Sequence, residues 1–111
     1  MKMNLLFLCT EGLDRSPTAA RLFLNNLNYE PRSAGILNAA DPRVLIKDIN
    51  WADYIFVMEK KHENYLLEIF PEANKKRLRV LEIMDIYHAE DPNLITILKS
   101  RLKGYLNDLN F

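Results

Sequence analysis

The segment Asn4–Cys9, Asn-Leu-Leu-Phe-Leu-Cys, constrains the fold more than any other stretch of the chain. It is an almost unbroken apolar run of strand length with a polar, glycine-containing loop behind it. Such a run suits a strand covered on both faces, as in a parallel sheet flanked by helices. It is too short for a bilayer-spanning helix, which takes roughly 18–20 apolar residues. No small-residue cleavage signature follows it, so the expected address is cytoplasmic.

The remaining chain alternates helical and strand signals. Ser16-Pro17 reads as a helix start, with Ser16 as N-cap and proline in the first turn, where a missing N–H removes no bond. Ala19, Ala20, Leu22, Phe23, Leu24 and Leu27 extend that helix to a stop at Asn25, Asn26 and Asn28. Tyr29 to Ala34 reads as a strand ending at Gly35, and Asp41-Pro42 as the opening of a helix through Val44, Leu45, Ile46 and Ile49. Trp51 reads as a packing anchor, and Tyr54 to Met58 as a second buried strand. A helix from Glu59 to Phe70 is stopped by Pro71, and Leu78 to Ile83 makes a last strand. Asp91-Pro92 then starts an amphipathic helix carrying Leu94, Ile95, Leu98, Leu102, Tyr105, Leu106 and Leu109.

Strands alternating with helices imply right-handed crossovers. The expected class is therefore α/β: a three-layer αβα sandwich on a four-stranded, mostly parallel sheet. No linker, repeat or low-complexity tract interrupts residues 1–111, so one domain is expected. Fifteen Lys and Arg balance fifteen Asp and Glu. A chain of zero net charge has no bulk basic grip on nucleic acid or membrane, although a local anion site remains open to it. One cysteine excludes an internal disulfide and any multi-cysteine metal site.

That cysteine sits where chemistry is expected. Ligands of open α/β sheets bind beyond the carboxyl ends of strands, and Cys9 ends the first one. Cys9-Thr10-Glu11-Gly12-Leu13-Asp14-Arg15-Ser16 places an arginine and a hydroxyl after five intervening residues. Those five let successive N–H groups converge on one point as an anion nest, and the following helix adds its positive end. Arg15 offers a planar fork matched to phosphate oxygens. The same fields favour a thiolate at Cys9. Ser16, besides capping, could donate to the sulfur.

The stretch Leu6-Phe-Leu-Cys9, with Arg15-Ser16-Pro17-Thr18-Ala19, resembles the signature of the low-molecular-weight protein tyrosine phosphatases. Ser33-Ala-Gly35, Asp41-Pro-Arg43 and Ala52-Asp-Tyr-Ile-Phe-Val-Met58 resemble family segments in family order. The chain looks most similar to a short bacterial branch. The resemblance implies a phosphomonoesterase that needs no metal or cofactor. Cys9 would attack phosphorus, while Arg15 and the amides of Thr10, Glu11, Gly12, Leu13 and Asp14 hold the oxygens. An aspartate would protonate the leaving group and then activate water. Its substrates would be a phosphotyrosine protein or a small aryl phosphate, and inorganic phosphate its product.

Two aspartates compete for that role. Asp85, in Met84-Asp-Ile-Tyr87, directly follows the last strand, with Tyr87 expected at the cleft mouth. Asp91-Pro92 has the dipeptide often found at the family acid but is also a good helix cap. The chain departs from the family pattern in three ways. Glu11-Gly12 replaces Gly-Asn, Asp14 replaces a second loop cysteine, and the stretch from Gly35 to Asp41 is short. Two loop carboxylates oppose phosphate, so an alternative function is a catalytically weakened phosphate- or phosphoprotein-binding module of the same fold. His62 and His88 have no partners at metal-ligand spacing and read as surface residues, as do Lys60-Lys61 and Lys75-Lys76-Arg77.

Overall fold

A computed structural model describes residues 1–111. Its elements run β1 (Met3–Cys9), α1 (Arg15–Arg21), β2 (Tyr29–Gly35), α2 (Ile46–Trp51), β3 (Tyr54–Val57), α3 (Lys60–Ile69), a 3₁₀ turn (Pro71–Lys75), β4 (Arg77–Val80) and α4 (Pro92–Lys103). The four strands form one sheet in the order β2-β1-β3-β4, and every pairing is parallel.

Side chains of β1 alternate between two cores because successive strand residues point to opposite faces. Leu5, Phe7 and Cys9 join Phe56 and Met58 with Ala19 and Phe23 of the α1 segment and Leu94, Leu98 and Leu102 of α4. Leu6 and Leu8 join Ile55 and Val57 with Ile49 of α2 and Leu66 of α3. The sheet therefore lies between two helical layers, as the unbroken apolar run of β1 requires. No helix is long and apolar enough to cross a membrane.

Several element boundaries depart from expectation. Helix α1 starts at Arg15, with Asp14 in the cap position, so Ser16 lies inside it and caps nothing. It ends at Arg21; Leu22, Phe23 and Leu24 continue in tighter turns, each N–H bonding the carbonyl three residues back, until Asn25 takes a positive φ of 62°. Leu24 and Leu27, expected on the helix, are exposed. Asp41-Pro42 opens no helix. The Val44 N–H bonds the Gly35 carbonyl, and the Pro42 carbonyl accepts the Gly35 N–H, both at 2.9 Å, which keeps this stretch extended. Helix α2 begins only at Ile46, where the Asp48 carboxylate accepts the Leu45 N–H.

Strand β4 also ends earlier than expected, at Val80. The Leu81 and Ile83 N–H groups still reach the carbonyls of Val57 and Met58 at 2.8 Å, but Glu82 between them has a φ of 57° and breaks the regular ladder. This irregular continuation carries the chain past the carboxyl ends of β1 and β3. That edge, where the order reverses from β2-β1 to β1-β3, is the topological switch point.

Candidate active site

Cys9 ends the central strand on that edge, and the loop behind it curls into a cup. Gly12 makes the curl possible with a φ of +75°, a conformation L side chains rarely adopt. A Cβ there would meet the Gly35 nitrogen at 2.7 Å, and one on Gly35 would meet the Glu11 carbonyl carbon at 2.5 Å. The two glycines thus let the loop backbone press against the end of β2. Ile36 N–H bonds the Cys9 carbonyl and Leu37 N–H the Thr10 carbonyl, fixing the start of the loop. The N–H groups of residues 10–14 donate to no acceptor in the protein.

The cup is a cavity of about 90 Å³ lined by Cys9, Thr10, Glu11, Leu13, Asp14, Arg15 and Asp85. Cys9 is 3% exposed and its Sγ lies 3.1 Å from the Ser16 hydroxyl, which also donates to the Ala34 carbonyl at 3.3 Å. Ser16, expected as a helix cap and also as a partner of the sulfur, takes the second of those positions. Arg15 is 1% exposed. Its Nη1 uses both hydrogens on protein acceptors, Glu59 Oε2 and the Ile83 carbonyl, each at 2.7 Å. Its Nη2 donates to Thr10 Oγ1 at 3.3 Å and stands 3.7 Å from Asp85 Oδ1. The Nε–H and the second Nη2–H, on one edge of the guanidinium, remain unassigned to any protein acceptor.

Sequence reading missed the two groups behind this arginine. Burial pushes the Glu59 carboxyl up, but the hydrogen bond and charge of Arg15 outweigh it and hold the carboxyl below its ordinary value. His62, expected on the surface, is 1% exposed. Its Nδ1 accepts the Glu59 N–H at 3.0 Å and its Nε2 lies 2.8 Å from Thr10 Oγ1. Burial first, and the Arg15 charge second, lower its pKa to about 4. The one sequence signal for this pair was its spacing. Glu59 and His62 stand at the N-cap and N3 positions of α3, where a side chain reaches back to the cap N–H.

The structure brings together most of the other expected site residues. Asp85 lines the cup, with its side chain 60% exposed. Asp91 does not: its carboxylate caps α4 by accepting the Asn93 N–H at 2.8 Å. Tyr87, expected at the mouth, is absent from the lining and packs its partly buried ring against the core beneath α1 and α4. Glu11 lies exposed at the rim, while Asp14 accepts the Ala89 N–H at 2.9 Å. The next residue, Glu90, donates its N–H to Thr18 Oγ1 at 3.0 Å and pairs with Arg21, so the segment after Asp85 is tied to α1 at three points. No three His, Cys, Asp or Glu side chains converge to hold a metal ion.

No family model matches the chain. A protein-arginine-phosphatase of Geobacillus stearothermophilus is 29% identical, over 68% of each chain. The solved structure of YwlE arginine phosphatase from the same organism superposes with a TM-score of 0.68 at 25% identity, covering 92% of this chain and 91% of that one. A low-molecular-weight phosphotyrosine phosphatase from Vibrio cholerae O395 does so at 0.68 with 22% identity, covering 92% and 91%.

Proposed function

We propose that this chain is a member of the low-molecular-weight protein tyrosine phosphatase family and hydrolyses phosphotyrosine or another aryl phosphate through a phosphocysteine. The observation that carries this reading is the cup itself. Unpaired amides, a buried sulfur and one free edge of a buried guanidinium share about 90 Å³.

In the first step the Cys9 thiolate attacks phosphorus, an S–P bond forms and the P–O bond to the leaving group breaks. Asp85 gives its proton to the departing oxygen. Ser16 has one hydroxyl hydrogen and two acceptors, the Ala34 carbonyl and the sulfur. It turns that hydrogen to the sulfur whenever the sulfur is anionic. Arg15 holds two equatorial oxygens on its free edge while Glu59 and Ile83 brace the other side. In the second step Asp85 takes a proton from water, the oxygen attacks phosphorus, the S–P bond breaks and phosphate leaves. Splitting the transfer in two is nucleophilic catalysis, and a positioned acid contributes roughly 10²–10⁴-fold. Leu13, 58% exposed on the lining, offers an apolar surface to an aryl ring.

Turnover of p-nitrophenyl phosphate tests the reading. Cys9→Ser is expected to reduce kcat by on the order of 10³-fold or more, and turnover that survives this change removes the mechanism. A second reading has a specific observation behind it. Glu11, Asp14 and Asp85 put three carboxylates on a lining with one arginine, a setting that suits a phosphoryl group attached to a cationic guanidine. A relative named as an arginine phosphatase is in keeping with it. Comparing kcat/KM on phosphotyrosine and phosphoarginine peptides of one sequence decides between them. For the weakened binding module the carboxylates are the motive. Asp14's is held by the Ala89 amide and Glu11's is solvated, so catalysis is the reading favoured here.

A further inference from the structure

The Thr10 side chain is held by two donors. His62 Nδ1 accepts the Glu59 N–H at 3.0 Å, so in the neutral ring the proton sits on Nε2. That Nε2–H, 2.8 Å from Thr10 Oγ1, must be the donor of the pair. Arg15 Nη2 donates to the same oxygen at 3.3 Å. With both lone pairs of Oγ1 engaged, the hydroxyl hydrogen has no acceptor in the protein, and Thr10 lines the cup. Its main chain is fixed as well, because its carbonyl accepts the N–H groups of Ile36 and Leu37 at 3.2 and 3.1 Å.

Resting on the phosphatase reading above, we propose that the Thr10 hydroxyl is a further donor to the transferred phosphoryl group, and that His62 is the positioning residue that keeps its hydrogen free for that oxygen. The assignment follows from proton counting. An imidazole with its proton on Nδ1 would accept from Thr10 and draw the hydrogen away from the cup. The Glu59 N–H prevents that tautomer.

Two readouts test the proposal, the dissociation constant for inorganic phosphate and kcat/KM on p-nitrophenyl phosphate. Hydrogen bonds to charged groups set the expected size. Thr10→Val should weaken phosphate binding and lower kcat/KM by roughly 10- to 100-fold. Thr10→Ser, which keeps the hydroxyl, should stay within about 3-fold of wild type. His62→Asn keeps an acceptor for the Glu59 N–H but has no donor that reaches Thr10, and should resemble Thr10→Val. His62→Gln, whose amide nitrogen replaces Nε2, should recover most of the loss.

Because His62 acts through Thr10, adding His62→Asn to Thr10→Val should cost nothing further. A purely structural histidine would give losses that multiply, and that result overturns its positioning role. A Thr10→Val protein matching wild type in both readouts overturns the donor role and with it the positioning role of His62, while the phosphatase reading stands. If wild type binds no phosphate and turns over no ester, the phosphatase reading fails and takes the proposal with it. If His62→Asn does not fold, as judged by its thermal unfolding, Thr10→Val against Thr10→Ser decides the donor role and His62→Gln the positioning role.

Discussion

Arg15 has its charge compensated from behind and its free edge in front. In the proposed mechanism lysine cannot take its place, because a single ammonium cannot brace against Glu59 and Ile83 while also gripping two phosphoryl oxygens. Arg15→Lys is expected to keep the fold and lose most kcat on p-nitrophenyl phosphate. Arg15→Ala should in addition lower stability by about 3 kcal/mol, because it strands the part-buried Glu59 carboxylate, as urea unfolding would show. Asp85→Asn should lower kcat and slow esters with poor leaving groups most, as a series of aryl phosphates would show. Cys9, Arg15 and Ser16 were legible in the sequence because they lie within eight consecutive residues, which cannot stray far from one another. Glu59 and His62 were not. They meet the loop across 44 and 52 residues, and nothing in their own surroundings says which strand end they will reach.

Asp91 and Asp85 stand in different settings, one capping α4 and the other lining the cup. Removing the α4 cap with Asp91→Ala should cost about 1 kcal/mol, seen as a lower melting temperature, with kcat unchanged. Gly12→Ala should do the opposite. It forces a Cβ to within 2.7 Å of the Gly35 backbone at a φ of +75°, so phosphate binding should fall sharply while α4 and the cores persist. The buried strands were read correctly from apolar runs, since a residue covered on both faces must be apolar whatever covers it. The ends of α1 and β4 and the start of α2 were misread. The end of α1 is set by local turns and the positive φ of Asn25, while the start of α2 and the end of β4 are set by backbone bonds across the fold, Gly35 to Val44 and Met58 to Ile83, which leave no mark in composition.

Zero net charge leaves the pH response of stability to individual groups rather than to general repulsion. His62 dominates below neutrality. Unfolded, it binds a proton as pH falls through its ordinary 6.5; folded, it stays neutral until about 4. Within that window the unfolded state holds more protons. Stability should therefore fall from about pH 6.5 to 4, by up to about 3 kcal/mol, and then level off for this group. Glu59, with its lowered pKa, adds a loss of the same sign further down. Urea unfolding at pH 7, 5.5 and 4 measures the slope, and His62→Gln should flatten its upper part.

The segment that carries Asp85 is pinned at both ends. Ile83 is held to Met58 and Arg15 on one side, and Ala89 and Glu90 are held to α1 on the other. Asp85 is thus held on the lining of the cup that also contains Cys9. If the proposed reaction holds, no flap has to shut before it begins, and discrimination falls to the fixed outline of the aperture, which admits a slender phosphate ester and turns away one too broad to reach the sulfur.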